Sequence, residues 1–222
     1  AERSRGEEAR NGGEKGRRKA RQIRFAQHRT EARRVMAVET GTIGGRRAYT
    51  GRIISLDVDE VRFPDGSTGH LEMIRHPGAS AVVPILGRAN GPEADPLVVL
   101  IRQYRYAAEG YLYEVPAGRL DPGETPADCA LRELAEETGY RASRVEPLLT
   151  IFTTPGFTDE KIHLFVATGL TEGASAREAH EFLELKPTRL SVAIRMVEAG
   201  EIQDSKTALA LFLAANWLHR SK

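Results

Sequence analysis

The sequence predicts an α/β protein, a mixed sheet sandwiched by helices and preceded by an N-terminal antiparallel strand region. Three observations carry this. Short apolar runs of strand length crowd the middle of the chain. One well-punctuated helix interrupts them over 126–138. Two further helical patterns follow at 192–199 and 205–219.

Residues 1–38 are rich in Arg, Glu and Gly, with almost no apolar side chain before Val35, and residues 1–34 hold 12 Lys/Arg against 5 Asp/Glu. Such a composition buries too little surface to offset ordering entropy, so a disordered basic tail is expected. A nucleic-acid-binding arm is the sharper alternative, but only Phe25 among these charges offers a ring to stack on bases.

The globular domain is read as 48–219. From about Tyr49 the pattern turns to strands: 51–63 is rich in β-branched and apolar residues, Pro64-Asp65-Gly66 reads as a turn, and 71–75 as the return strand. Ala79 to Leu86 and Pro96 to Arg102 suit central strands, separated by a Gly/Asn/Pro loop over 87–96. Tyr111 to Val115, Leu148 to Thr153, Lys161 to Thr168 and Phe182 to Leu185 complete the strands, with a Pro155-Gly156 turn and a polar loop over 172–180. Ser191 is read as N-cap of 192–199, with Gly200 beyond its last turn. Asp204 is read as N-cap of 205–219, whose apolar residues recur at Leu209, Phe212, Leu213 and Trp217.

Composition narrows the function classes. A net charge of +1 gives no electrostatic case for nucleic acid or a membrane surface as partner. The longest strongly apolar stretch, Ala208 to Ala215, is far short of a membrane span. A single cysteine, Cys129, permits no intrachain disulfide and fits a reducing compartment. With neither a secretory apolar core nor an acid-poor transit pattern at the N-terminus, a cytoplasmic protein is expected.

The most informative segment runs from Gly118 to Tyr140. Thr125 is an N-cap, Pro126 occupies the first helical position and Gly139 fits a left-handed terminating position. At 100° per residue, Ala127, Ala130, Leu131, Leu134 and Ala135 share one face, and Arg132, Glu133, Glu136 and Glu137 the other. Glu133 lies i,i+3 from Glu136 and i,i+4 from Glu137. Charges about 5 Å apart repel by roughly 3 kcal/mol at an effective dielectric near 20, and by only a few tenths in full solvent. A solvated acidic helix face is therefore the ordinary explanation. The preceding turn, Gly118 to Gly123, changes that balance: its glycines and proline let backbone approach a ligand, and clustered carboxylates beside such a turn match the oxygen preference of a divalent cation.

Gly118, Glu124, Arg132-Glu133-Leu134, Glu136-Glu137 and Gly139-Tyr140 are nine positions over 23 residues, and their spacing resembles the signature box of the Nudix hydrolases. The resemblance covers roughly 48–217 and implies a Nudix-type α/β/α sandwich. It implies that Glu133, Glu136 and Glu137 coordinate magnesium, with manganese as a substitute, and that the Ala117 carbonyl completes the shell. Glu124 and Arg132 would hold loop and helix together, with Gly118 and Gly139 structural.

The chain also resembles the ADP-ribose pyrophosphatase branch, through Ile101-Arg-Gln-Tyr-Arg105, Tyr113-Glu-Val-Pro-Ala-Gly118, and Pro155 placed 16 residues after Gly139. That branch implies cleavage of a nucleoside diphosphate sugar, ADP-ribose first, to AMP and ribose 5-phosphate. Arg105, with Arg102, would clamp the diphosphate, Glu114 would support the metal site and Pro155 would mark the specificity. Glu181 would be the general base, with Glu160, Glu178 and Glu184 in comparable contexts, and Glu136 is counted with the catalytic groups as well as the ligands. A homodimer is implied, with strands over 48–76 forming the interface. GDP-mannose or another nucleotide sugar, or a 5′-modified RNA, are alternatives within the same chemistry. A non-catalytic module sensing ADP-ribose is the alternative from another class.

Overall fold

The computed structural model describes residues 39–87, 95–173 and 183–220. The basic tail over 1–38, most of the 87–96 loop and the segment carrying Glu178 and Glu181 lie outside the described residues. The chain divides into two compact units, Ala1–Ala48 with Asp57–Glu72, and Tyr49–Leu56 with Met73–Lys222.

A three-stranded sheet in the order β1-β2-β3 dominates the described part of the first unit: β1 (Gly41–Thr50), β2 (Ser55–Arg62) and β3 (Thr68–Arg75). The sequence pattern gives no sign of β1, because Gly41, Gly44 and Gly45 break any apolar alternation. Gly45 is there for close approach: a Cβ would stand 2.9 Å from the Val58 carbonyl oxygen. The expected single strand over 51–63 is instead a tight turn closed by Gly51 N–H to the Ile54 carbonyl (2.8 Å), followed by β2. The Pro64-Asp65-Gly66 turn forms as expected, with the Asp65 carboxylate accepting from Ser67 N–H (3.0 Å) and Oγ (2.6 Å).

The second unit holds a seven-stranded mixed sheet. Its path is β10-β5-β4-β9-β8, with β6 paired to β5 and β7 paired to β4. The strands are β4 (Ala79–Leu86), β5 (Leu97–Arg105), β6 (Gly110–Glu114), β7 (Ala117–Arg119), β8 (Tyr140–Phe152), β9 (Lys161–Glu172) and β10 (Leu183–Arg189). Only β4 and β9 run parallel. Three helices complete it: α1 (Pro126–Thr138), α2 (Leu190–Glu198) and α3 (Ser205–Arg220).

Strand alternation sends side chains to two separate cores. Ala81, Val83 and Ile85 of β4, with Leu164 and Val166 of β9, pack among Leu190 and Ala193 of α2 and Ala210, Leu211 and Ala214 of α3. Val82, Phe165 and Ala167 pack on Ala130 and Leu134 of α1. Helices therefore cover both faces, as expected, which is why β4 is buried along nearly its whole length.

One feature of the register positions the site. The strands β4 and β5 pair only at Ile85–Val98 and Leu86–Leu97. Beyond that point they splay: the start of β4 pairs with β7, and the end of β5 with β6. Two residues, Val115 and Pro116, carry the chain from β6 to β7 across the gap.

The edge strands run longer than their apolar pattern indicates. The strand β8 is 13 residues long rather than the expected 148–153, because an edge strand with Arg141, Arg144 and Glu146 shows little apolar pattern. Its ladder shifts register between Pro147 and Leu149. The edge strand β10 extends to Arg189 through Pro187, which an edge tolerates.

The helix α1 has the expected limits. The side chain of Asp204 caps α3 by accepting from Thr207 N–H (3.0 Å). Ser191 is not a cap: it lies inside α2, whose N-cap position is Arg189 with no side-chain capping bond. The capping carboxylate comes from Asp95, which accepts Ser191 N–H (2.9 Å) and Oγ (2.8 Å) from 96 residues away. These hydrogen bonds, the Ser191 N–H first, hold the Asp95 carboxyl below its ordinary value. No helix among the described residues is long and apolar enough to cross a membrane.

Replacing Asp95 with Ala leaves the α2 N-terminus uncapped and is expected to cost about 1 kcal/mol of stability, read from the urea midpoint. An unchanged midpoint would show that solvent serves the helix end equally well.

Candidate active site

The site is assembled where α1 meets β7. Thr125 Oγ1 accepts Asp128 N–H (3.2 Å), Pro126 opens the helix, and Gly139 ends it at φ 79° with its N–H on the Ala135 carbonyl (2.9 Å). Two of the three glutamates on the acidic face of this helix are withdrawn from solvent. Glu133 and Glu137 are 9% and 2% exposed, because the turn from β7 closes over them. Buried carboxylates need partners, and each is supplied. Glu137 Oε2 accepts Ala117 N–H at 3.0 Å. Glu133 Oε1 accepts Arg132 Nη1 at 2.6 Å, and the same nitrogen reaches Glu136 Oε2 at 3.0 Å.

Arg132 ties the motif together. Its Nε and Nη2 hold Glu124 at 2.8 and 2.9 Å in a forked pair, and Nη2 also donates to the Arg119 carbonyl (3.0 Å). Glu124 in turn accepts Asp121 N–H (3.0 Å), which fastens the glycine-proline turn. The Arg132 guanidinium holds the Glu124 carboxyl down at about 2. Gly118 is required by contact rather than by backbone angle: a Cβ there would overlap the Glu133 carboxylate. Cys129 lies beneath this turn, and burial pushes its thiol up to about 11, which leaves it inert.

Across the splay in the sheet stands a second charged group. Arg105 grips Glu114 in a forked pair, Nε to Oε1 at 2.7 Å and Nη2 to Oε2 at 2.8 Å. Lys206 Nζ reaches the same carboxylate at 2.5 Å and Asp204 at 3.0 Å. Glu114 is 1% exposed. Burial alone would push its carboxyl up, but hydrogen bonds from Arg105 and the nearby Lys206 charge outweigh it and hold the carboxyl down. Thr207 Oγ1 accepts Val115 N–H (2.9 Å), pinning the short β6–β7 link to α3.

Glu133, Glu136, Glu137, Ala117, Gly118, Arg132 and Arg105 line one cleft of about 730 Å³, together with Arg52, Ile53, His76, Gln103, Arg119 and Asp121. The expected ligand set and the expected phosphate clamp are thus in one place. Arg102 is not. Three residues from Arg105 on a strand, it falls on the opposite face, where it stacks over Tyr111 (4.2 Å) and pairs with Glu184 (3.6 Å). Pro155 stands in the exposed turn that follows β8, outside the residues that line the cleft. Glu160 bonds Thr153 Oγ1 (2.9 Å) and sits 3.4 Å from His76 Nδ1.

Sequence reasoning missed Gln103 and Lys206. A buried Gln on a central strand shows no periodic signal. Lys206 did leave one: a cation in the first turn of a helix opposes the helix dipole and calls for a reason.

The donors in the cleft are carboxylate and carbonyl oxygens, the hard ligands a divalent cation prefers, and the glycine cradle brings backbone against them. Among the described residues no three His, Cys, Asp or Glu side chains converge as a ready-made cage. Arg132 Nη1 lies between Glu133 and Glu136 as their counter-charge. The residues fit such an ion in kind.

Two consequences are measurable. Gly118→Ala displaces the Glu133 carboxylate and is expected to lose about 1–3 kcal/mol in a urea titration, as overpacked sites do. Because the folded carboxyl of Glu124 lies below its ordinary 4.5, its stabilisation is complete above that pH and fades as pH falls towards about 2. Glu124→Gln should flatten the melting-temperature profile across that acid window, and a profile parallel to the parent's would refute the linkage.

A model of the NUDIX domain matches residues 75–209. The chain is 41% identical over 175 residues to a methanol dehydrogenase activator of Bacillus methanolicus, covering 78% of this chain and 91% of that protein. It is 36% identical over 177 residues to an ADP-ribose pyrophosphatase of Bacillus subtilis, covering 79% and 92%. A solved ADP compounds hydrolase shares the fold with a TM-score of 0.70 at 23% identity, covering 83% of this chain and 96% of that one. With the box intact and its carboxylates gathered in one cleft, this chain belongs to the NUDIX domain family.

Proposed function

We propose that the chain hydrolyses the pyrophosphate bond of ADP-ribose, giving AMP and ribose 5-phosphate, and that it requires magnesium or manganese. The observation that carries this is the meeting, in one cleft, of three glutamates beside a glycine turn with an arginine locked on a buried carboxylate. The likeness to an ADP-ribose pyrophosphatase over most of both chains supports the choice of substrate.

Glu133, Glu136, Glu137 and the Ala117 carbonyl would hold the cation. When bound, it neutralises charge on the diphosphate and acidifies a coordinated water. Arg105 has two of its nitrogens fixed by Glu114, so the guanidinium is pre-oriented and Nη1 is left to donate to a phosphate oxygen. Ala117 N–H orients Glu137, and Arg132 keeps Glu133 and Glu136 from swinging to solvent. Glu181 would take the proton of the attacking water; it lies outside the described residues, where the chain resumes at Leu183 opposite Gln103. For Pro155 the part in substrate choice rests on the resemblance alone. We further assign the chain to the cytoplasm and to a homodimer formed through its N-terminal strands, a role consistent with the exposure of Tyr49 and Ile53.

A second reading follows from the likeness to a methanol dehydrogenase activator. An assay of alcohol dehydrogenase turnover with the chain added separates the two.

The test is hydrolysis of ADP-ribose, GDP-mannose, NADH and triphosphorylated RNA, each with and without magnesium. A cation-dependent kcat/KM highest for ADP-ribose is expected, and equal rates in chelator would sink the proposal. Glu137→Gln keeps the acceptor for Ala117 N–H, so it should melt like the parent while kcat falls by about 10³, or roughly 4 kcal/mol of barrier. Parental turnover would remove Glu137 from the site.

A further inference from the structure

Gln103 lines the cleft, and the reaction above assigns it no part. It lies on β5 two positions before Arg105, so both side chains project from the same face of the strand. Its backbone is held between Leu112 of β6 and Leu183 of β10, in the middle of the sheet. The residue is 8% exposed, yet it lines the cleft with Arg105 and Gly118. Its Oε1 is buried with no hydrogen-bond partner among the described residues.

A carboxamide withdrawn from water and left unpaired destabilises the protein that carries it. A leucine or methionine would fill the same position in the sheet without that penalty. The neighbours on β5 show that the strand readily takes such side chains, since Val98, Val99, Leu100 and Ile101 are all buried. Among the described residues this acceptor has no partner, and a ligand in the cleft can supply one.

The chemistry of that partner follows from the amide. An orphan acceptor needs a donor, and a diphosphate at neutral pH offers acceptors only. A hydroxyl both donates and accepts, so it satisfies the amide whichever way its oxygen and nitrogen are turned. Rotation about the last side-chain bond exchanges the two without moving the strand. Gln103 stands two residues, about 6.5 Å along β5, from Arg105 and on the same face of the strand, so both can reach one ligand in the cleft.

We propose that Gln103 is a specificity residue that hydrogen-bonds a sugar hydroxyl of the nucleotide-sugar substrate while Arg105 holds the adjoining phosphate. The proposal rests on the hydrolase reading above.

Gln103→Met tests it, because methionine keeps the length and removes the hydrogen bond. With ADP-ribose the variant should show KM raised about tenfold, kcat changed less than threefold, and a melting temperature of the free protein at or above the parent's. The inhibition constant of imidodiphosphate, which has no sugar, should move less than threefold. That of the ADP methyl ester, which keeps only the adenosine ribose, tells which of the two riboses is held: a rise assigns the adenosine ribose, and no change the distal one.

A KM rise below threefold overturns the proposal. So does an equal weakening of imidodiphosphate, which would place the contact at the phosphates, or a lowered melting temperature, which would make Gln103 part of the scaffold. Should the parent itself fail to hydrolyse ADP-ribose with magnesium, the hydrolase reading falls instead, and the two failures are told apart by the parent alone.

Discussion

The site depends on partners for carboxylates withdrawn from water. Glu114, Glu133 and Glu137 are all buried, and the chain's own groups meet them: Arg105 and Lys206 around the first, Arg132 against the second, a backbone N–H on the third. Breaking such a set by removing one partner costs far more than the set contributes as a whole, so these residues form a unit. The Nudix helix is thus held on one face by apolar packing against β4 and β9 and on the other by a charge network.

Arg132 is the centre of that network. Its guanidinium is the counter-charge of Glu133 and Glu136, and its fork on Glu124 anchors it to the turn before the helix.

The sheet supplies the room. Since β4 and β5 share only their ends nearest the 87–96 loop, their other halves recruit β7 and β6, and the cleft opens between the two pairs. The helix α3 locks this arrangement from below: Thr207 takes the Val115 N–H, and Lys206 reaches Glu114. A helix far along the chain therefore helps to fix the carboxylate that holds Arg105.

Local sequence settled whatever is decided by neighbours in the chain. The limits of α1, its Thr125 and Gly139 ends, the turn at Asp65, the central strand β4 and the cluster Glu133, Glu136 and Glu137 are all short-range, since caps and periodicity act over a few residues. The length of β8 was hidden because edge strands carry charge instead of an apolar pattern. Three things belonged to the tertiary structure alone. One is the capping of α2 by Asp95; another is the convergence of Arg105, Glu114 and Lys206; the third is the separation of Arg102 from Arg105 onto opposite faces of β5. The first two join groups about 90 residues apart, and the third turns on which face of the strand meets the cleft, a choice made by packing and register rather than by the identity of either arginine.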